Sequence, residues 1–338
     1  MRNRIVLALL LTLPCAAPVS AADFNGRWLG TVFEGSATGQ PIGLELRQVG
    51  DRIIGVMLSK VPFMLTDGRV TERGATFQAG VEGEIISFQL TVDGDHLTGK
   101  VAAKKDGVDG GAQTIDAYRA GGSGPFAGSW TATIAPQRAD DGDSEVVTLI
   151  LYPGSLGVSG VMRSAGGAEE VFTGGEIKDG RLRFRLFWNG TRYDLAASGA
   201  VSGNVLEGTA SVPSTTNKDV EGKKLVVHAV KQAALKPESG ALGSWAGALI
   251  TTTGESLPFP FHLHRHGDEY SGGMTSDAAR GEFMDIAVSG NHVTFVLRTE
   301  RESVHFDLKL DGDEMAGTAV ETSNGKETKY RLSAVRRM

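Results

Sequence analysis

The chain has 338 residues, 41% of them apolar and 22% charged, a balance that suits several folded domains rather than disorder. Its net charge of −6 argues against nucleic acid as a partner, and its single cysteine, Cys15, excludes a disulfide scaffold. Glycine, at 46 residues, is roughly twice as common as usual while proline, at 11, is scarce, which points to many tight turns.

Residues 1–22 read as a secretory signal. Arg2 and Arg4 precede an apolar run from Ile5 to Leu13, and small residues follow up to Ser20-Ala21-Ala22. This pattern predicts cleavage near Ala22 and an exported protein, periplasmic or secreted. The run is too short to span a bilayer, and no later segment approaches about 18 continuous apolar residues, so the expectation is a chain that does not span the membrane. Cleavage removes Arg2, Arg4 and Cys15 and leaves a thiol-free, more acidic chain that cannot mispair in an oxidising compartment.

One unit then occurs three times. Gly-x-Trp recurs at Gly26/Trp28, Gly128/Trp130 and Gly243/Trp245. Beyond it, Leu44 and Leu46 match Leu149 and Leu151 in the second copy and Phe261 and Leu263 in the third. Phe88-x-Leu90 before Asp93-Gly94-Asp95 matches Phe306-x-Leu308 before Asp311-Gly312-Asp313, with Tyr193-x-Leu195 in the middle copy. Each copy ends on Ala-x-basic, at Arg119, Lys231 and Arg336. The repeats predict domains over 23–120, 126–231 and 242–338, joined by linkers at 121–125 and 232–241.

Within a unit the pattern is alternation. Ile42, Leu44 and Leu46 point one way and Gly43, Glu45 and Arg47 the other; Leu182, Phe184 and Leu186 alternate with Arg181, Arg183 and Arg185. A period of two marks half-buried strands. Gly50-Asp51, Asp67-Gly68, Asp93-Gly94 and Asp106-Gly107 read as hairpin turns. About eight short antiparallel strands per unit, with no convincing helix, predict an all-β chain of three tandem up-and-down eight-stranded barrels, a sandwich being the alternative.

The opening Gly-x-Trp, the strand meander and the closing basic residue resemble the calycin-type barrels, the lipocalins and avidin-like proteins. That resemblance implies a Trp that closes one barrel end under a basic residue from the last strand: Trp28 with Arg119, Trp130 with Lys231 and Trp245 with Arg336. It implies a fold and no particular ligand, because avidin's biotin-binding residues and the lipocalins' second motif have no match.

Candidate sites are few. The alternating inner sets, Leu44, Leu46, Phe88, Leu90, Leu149, Leu151, Tyr193, Phe261, Leu263 and Phe306, either fill the barrels or line a small apolar ligand. His262, His264 and His266 share one face of a strand at about 6.6–7 Å per step. Two neighbours reach one metal, but a site needs a ligand from elsewhere. By the repeat alignment these histidines decorate a barrel exterior. Asp140-Asp141-Gly142-Asp143 lacks the ligand spacing of a calcium loop, and Arg181, Arg183 and Arg185 read as a solvated stripe. Carboxylates such as Glu34, Glu45 and Glu84 have no spacing that joins them, and no nucleophile motif or phosphate loop occurs.

The sequence thus favours an exported non-enzymatic binding protein that holds a small apolar molecule, with no cofactor. The first alternative is a module that meets another envelope protein through its exterior, and the second a metal binder or metalloenzyme built on the three histidines.

Overall fold

The computed structural model describes residues 22–337 except 35–38, 59–61, 72–73, 82–83, 139–143, 155–156, 165–167, 189–190, 199–203, 212–222, 234–239, 276–279 and 299–301. The described chain is all β. The first unit holds β1 (Gly26–Phe33), β2 (Gln40–Val49), β3 (Arg52–Leu58), β4 (Phe63–Thr71), β5 (Gly74–Val81), β6 (Glu84–Asp93), β7 (His96–Lys105) and β8 (Val108–Arg119). The second holds β9 (Gly128–Pro136), β10 (Glu145–Gly154), β11 (Gly157–Ser164), β12 (Glu169–Lys178), β13 (Arg181–Trp188), β14 (Thr191–Ser198), β15 (Val205–Ser211) and β16 (Lys224–Lys231). The third holds β17 (Gly243–Ile250), β18 (Ser256–Pro258), β19 (Phe261–His266), β20 (Glu269–Thr275), β21 (Arg280–Ser289), β22 (His292–Arg298), β23 (Glu302–Asp311), β24 (Glu314–Ser323) and β25 (Lys326–Arg336).

Units one and two are closed eight-stranded antiparallel barrels, and unit three is a nine-stranded sheet whose ends meet through β17–β25. The ninth strand has a local cause. β18 and β19 both pair with β17, so together they replace one strand, interrupted at Phe259-Pro260. Proline offers no N–H to a ladder, and Pro260 breaks it there.

The registers repeat. Trp28, Trp130 and Trp245 lie opposite Leu44, Leu149 and Phe261 on one side, and opposite Arg119, Lys231 and Arg336 on the other. The glycine two residues before each Trp sits at positive φ: 121° at Gly26, 112° at Gly128 and 116° at Gly243. Only glycine adopts that backbone without strain, which explains the first letter of the motif. Each indole Nε1–H donates to the carbonyl four residues back, at Phe24, Phe126 and Ala241, over 2.9–3.0 Å.

Among the described residues, each interior is packed with its own side chains. Phe77 stacks on Phe88 at 4.8 Å in the first barrel, and Phe172 on Phe184 at 4.1 Å in the second. In the third, Phe295 stacks on Phe283 at 4.2 Å and on Phe306 at 4.5 Å. Each such ring removed from water contributes about 1.5–3 kcal/mol.

One turn assignment is corrected. Asp67-Gly68 is not a hairpin but a bulge inside β4, where the register with β5 shifts between Thr66 and Arg69. Asp67 has φ 53°, and a Cβ on Gly68 would lie 1.9 Å from the Ile53 carbonyl oxygen. An Asp-Gly pair meets the needs of a bulge as well as those of a turn.

Candidate functional site at the junction of the barrels

Alternation sends one face of each strand into a barrel and the other outward. On the outward face a second set of apolar residues is also buried: Leu29, Ile54, Val56 and Leu58 from the first barrel, Val161 and Val171 from the second, Ala246 and Val335 from the third. They form a shared core among the three units. The run Ile53-Ile54-Gly55-Val56-Met57-Leu58 is the sequence signal for it, since an unbroken apolar strand is one buried on both faces.

An ion network lies beside this core. Glu45 occupies an outward position of β2 yet is only 2% exposed. One of its carboxylate oxygens accepts from Arg27 Nη2, the other from Arg337 Nε at 2.8 Å. Arg337 Nη2 also donates to Glu169 at 2.7 Å, and Glu169 accepts from Arg163 Nε at 2.6 Å. Arg27 Nη1 donates to Tyr152. Arg337 follows β25, held there by its backbone N–H on Ser244 O at 2.8 Å. The network therefore joins one residue set from every barrel.

The electrostatics follow from burial and pairing. Burial pushes the Glu45 carboxyl up, but Arg337 and Arg27 overcome it and hold it at about 2. Glu169 is lowered in the same way: burial opposes, and Arg337 and Arg163 prevail. Burial also acts against charge on Arg27 and Arg337, and the carboxylates beside them raise both above the ordinary arginine value. Further out, Arg47 pairs with Asp313 at 2.6 Å and Arg52 with Glu314 at 3.0 Å, both between the first and third barrels.

Three clefts lie along these seams. One, of about 220 Å³, is lined by Pro62, Arg163, Ser164, Glu169, Ser244, Trp245, Pro260, His262, His264 and Arg337. A second, of about 500 Å³, runs between the first two barrels past Phe33, Asp95, Asp116, Tyr118, Arg119, Tyr152 and Val158. A third, of about 340 Å³, separates β3 and β4 from β17 and β25.

Of the inner-face candidates, Leu44, Leu46, Phe88, Leu90, Leu149, Leu151, Phe261, Leu263 and Phe306 are at most 2% exposed and belong to the three barrel cores. Tyr193 lies on β14, with its side chain outside the described residues. The basic residues stand over their indoles, Arg119 at 4.3 Å from Trp28, Lys231 at 5.3 Å from Trp130 and Arg336 at 4.5 Å from Trp245. Arg119 and Arg336 are further pinned by Asp95 and Asp313, at 2.9 and 2.7 Å. His262 and His264 project from the outer face of β19 with ring centroids 5.0 Å apart, and burial, then His264, pushes the His262 imidazole down. His266 is exposed, and among the described residues no three His, Cys, Asp or Glu side chains converge on a metal position. Arg181, Arg183 and Arg185 are exposed; residues 140–143 lie outside the described chain.

Sequence reasoning missed the network. It placed Glu45 and Arg47 on the outer face but left them in solvent, because alternation defines a strand's two faces and says nothing about what covers the outer one.

No protein-family model and no curated protein matches the chain. Among solved structures it is similar to a protein of unknown function of the DUF3598 family from Nostoc punctiforme, at 14% identity over 62% of this chain and 96% of that one, with a TM-score of 0.22. It is similar to transferrin binding protein B from Haemophilus parasuis, at 10% identity over 92% and 75%, with a TM-score of 0.19. A third likeness is to kievitone hydratase from Nectria haematococca, at 6% identity over 93% and 90%, with a TM-score of 0.20. At this level of likeness, what each of those proteins does is a property of that protein.

Proposed function

We propose that the chain is an exported, non-enzymatic binding protein that meets another envelope protein through the exterior of its three joined barrels. The observation that carries this reading is the state of the inner faces: nine of the ten candidate lining residues are packed into cores at 2% exposure or less. An eight-stranded barrel either fills itself or holds one small ligand, and the described inner faces are filled. The groove between the first two barrels instead presents Phe33 and Tyr118, each over a third exposed, beside Asp95, Asp116 and Arg119. Aromatic and Arg side chains at a polar rim are what protein interfaces use. The calycin-type assignment rests, in the same spirit, on the positive-φ glycine, the buried Trp and the basic residue over it.

Native mass spectrometry and cross-linking of the mature protein, purified from its own envelope, test the reading. The expected mass is that of the chain from Asp23 with no apolar companion lost on denaturation. Cross-links to one envelope protein should fall along the Phe33–Tyr118 groove and vanish in Phe33→Ala/Tyr118→Ala. A small apolar molecule released on denaturation would overturn the reading in favour of a carrier.

A further inference from the structure

The junction network is not electrically balanced. Arg27, Arg163 and Arg337 face Glu45 and Glu169, so one positive charge is left over. Both oxygens of Glu45 and of Glu169 already accept from these arginines. Arg337, 8% exposed, directs Nε and Nη2 to the carboxylates, while its Nη1 has no hydrogen-bond partner among the described residues.

The smallest of the three clefts opens beside this surplus charge. Its wall carries Arg163 and Arg337, the Glu169 carboxylate they hold between them, the hydroxyls of Ser164 and Ser244, and the imidazoles of His262 and His264. Nε and Nη2 of both arginines are taken by Glu45 and Glu169, so an oxyanion would accept from the remaining guanidinium N–H groups, with hydroxyl and imidazole groups completing the shell. At about 220 Å³ the space is smaller than the pockets that hold drug-sized molecules and suits an ion of a few heavy atoms. We infer that this three-barrel cleft is a binding site for a small oxyanion, a carboxylate or a phosphate-type group, held by Arg163 and Arg337 and strengthened by His262 and His264. The site stands apart from whichever macromolecule meets the outer grooves.

Its affinity depends on pH through His262. His262 faces Ser244 on β17 and Gly273 on β20, with Glu282 of β21 next in line, and His264 faces Ser271. Across the cleft stand Arg163, Glu169 and Arg337. Burial holds the His262 imidazole below its ordinary value, so it gains its proton, and the anion binds more tightly, only in mild acid.

Calorimetric titration of the full mature chain with sulfate, whose charge is constant over this range, and separately with acetate tests the site, with the histidine ring signals followed by NMR. Saturable binding at about pH 5.5 that weakens roughly tenfold at about pH 8, with the His262 and His264 rings shifting on addition of the anion, is the expected result. In H262Q/H264Q, checked by thermal melting for an unchanged fold, that pH dependence should disappear. Sulfate without acetate assigns a phosphate-type group, acetate without sulfate a carboxylate, and both the shared oxyanion chemistry. Failure of both anions to saturate, unshifted rings, or wild-type affinity and pH dependence in the double variant would overturn the proposal.

Discussion

Glu45 shows how far one side chain can reach. Its carboxylate is taken out of water, which costs several kcal/mol, and two guanidiniums from different barrels offset that cost. Removing one partner from such a set leaves charge buried and uncompensated. Glu45→Ala is therefore expected to lower stability by about 3–5 kcal/mol in urea unfolding, well beyond an ordinary surface change. The same carboxyl sets an acid limit. Held at about 2 in the fold against an ordinary 4.5, it contributes stability that is complete above about 4.5 and is lost as the pH falls towards 2. Glu169, lowered in the same direction, adds to that loss. Thermal melts across this range should fall steeply for the native chain and more shallowly for Glu45→Gln.

At the scale of the strand, the Gly-x-Trp motif joins three requirements in one turn of chain. The glycine takes a φ of 112–121°, the indole caps the core, and the last strand brings its cation over the ring. Gly26→Ala forces a residue with a Cβ into that backbone, where the new atom would also meet Arg119 Nη1 at 3.1 Å. A loss of about 1–3 kcal/mol is expected, read from the shift of the chain's denaturant midpoint. The motif was legible in the sequence as a repeat, and the alternation around it supplied the inner set. The bulge at Asp67-Gly68 was not legible, because Asp-Gly serves positive φ in either setting and only the pairing of β4 with β3 and β5 separates them.

For the molecule as a whole, the seam core and the ion network make three barrels one body. Leu29, Val56, Val161, Ala246 and Val335 are each at most 4% exposed although they lie outside every barrel. Among the described residues, Arg337 is the one guanidinium with bonds to carboxylates of two different barrels beyond its own, so its loss should uncouple them. Scanning calorimetry is expected to show one cooperative transition for the native chain and separated transitions for Arg337→Ala, and coincident melting in both proteins would refute the coupling.

The sequence by itself determined the local structure: the threefold repeat, the strand period and the inner faces follow from spacing along the chain, and the resemblance to calycin-type barrels implied the Trp–basic pairs. Only the tertiary structure decided what the outer faces do. Glu45, Arg163, Glu169 and Arg337 meet because barrels separated by more than a hundred residues pack side by side, and no periodicity within a strand encodes which other barrel will cover it. The C-terminal position of Arg337 gave no sign of its partners, since a residue just past the last strand is free of the alternation that placed the rest.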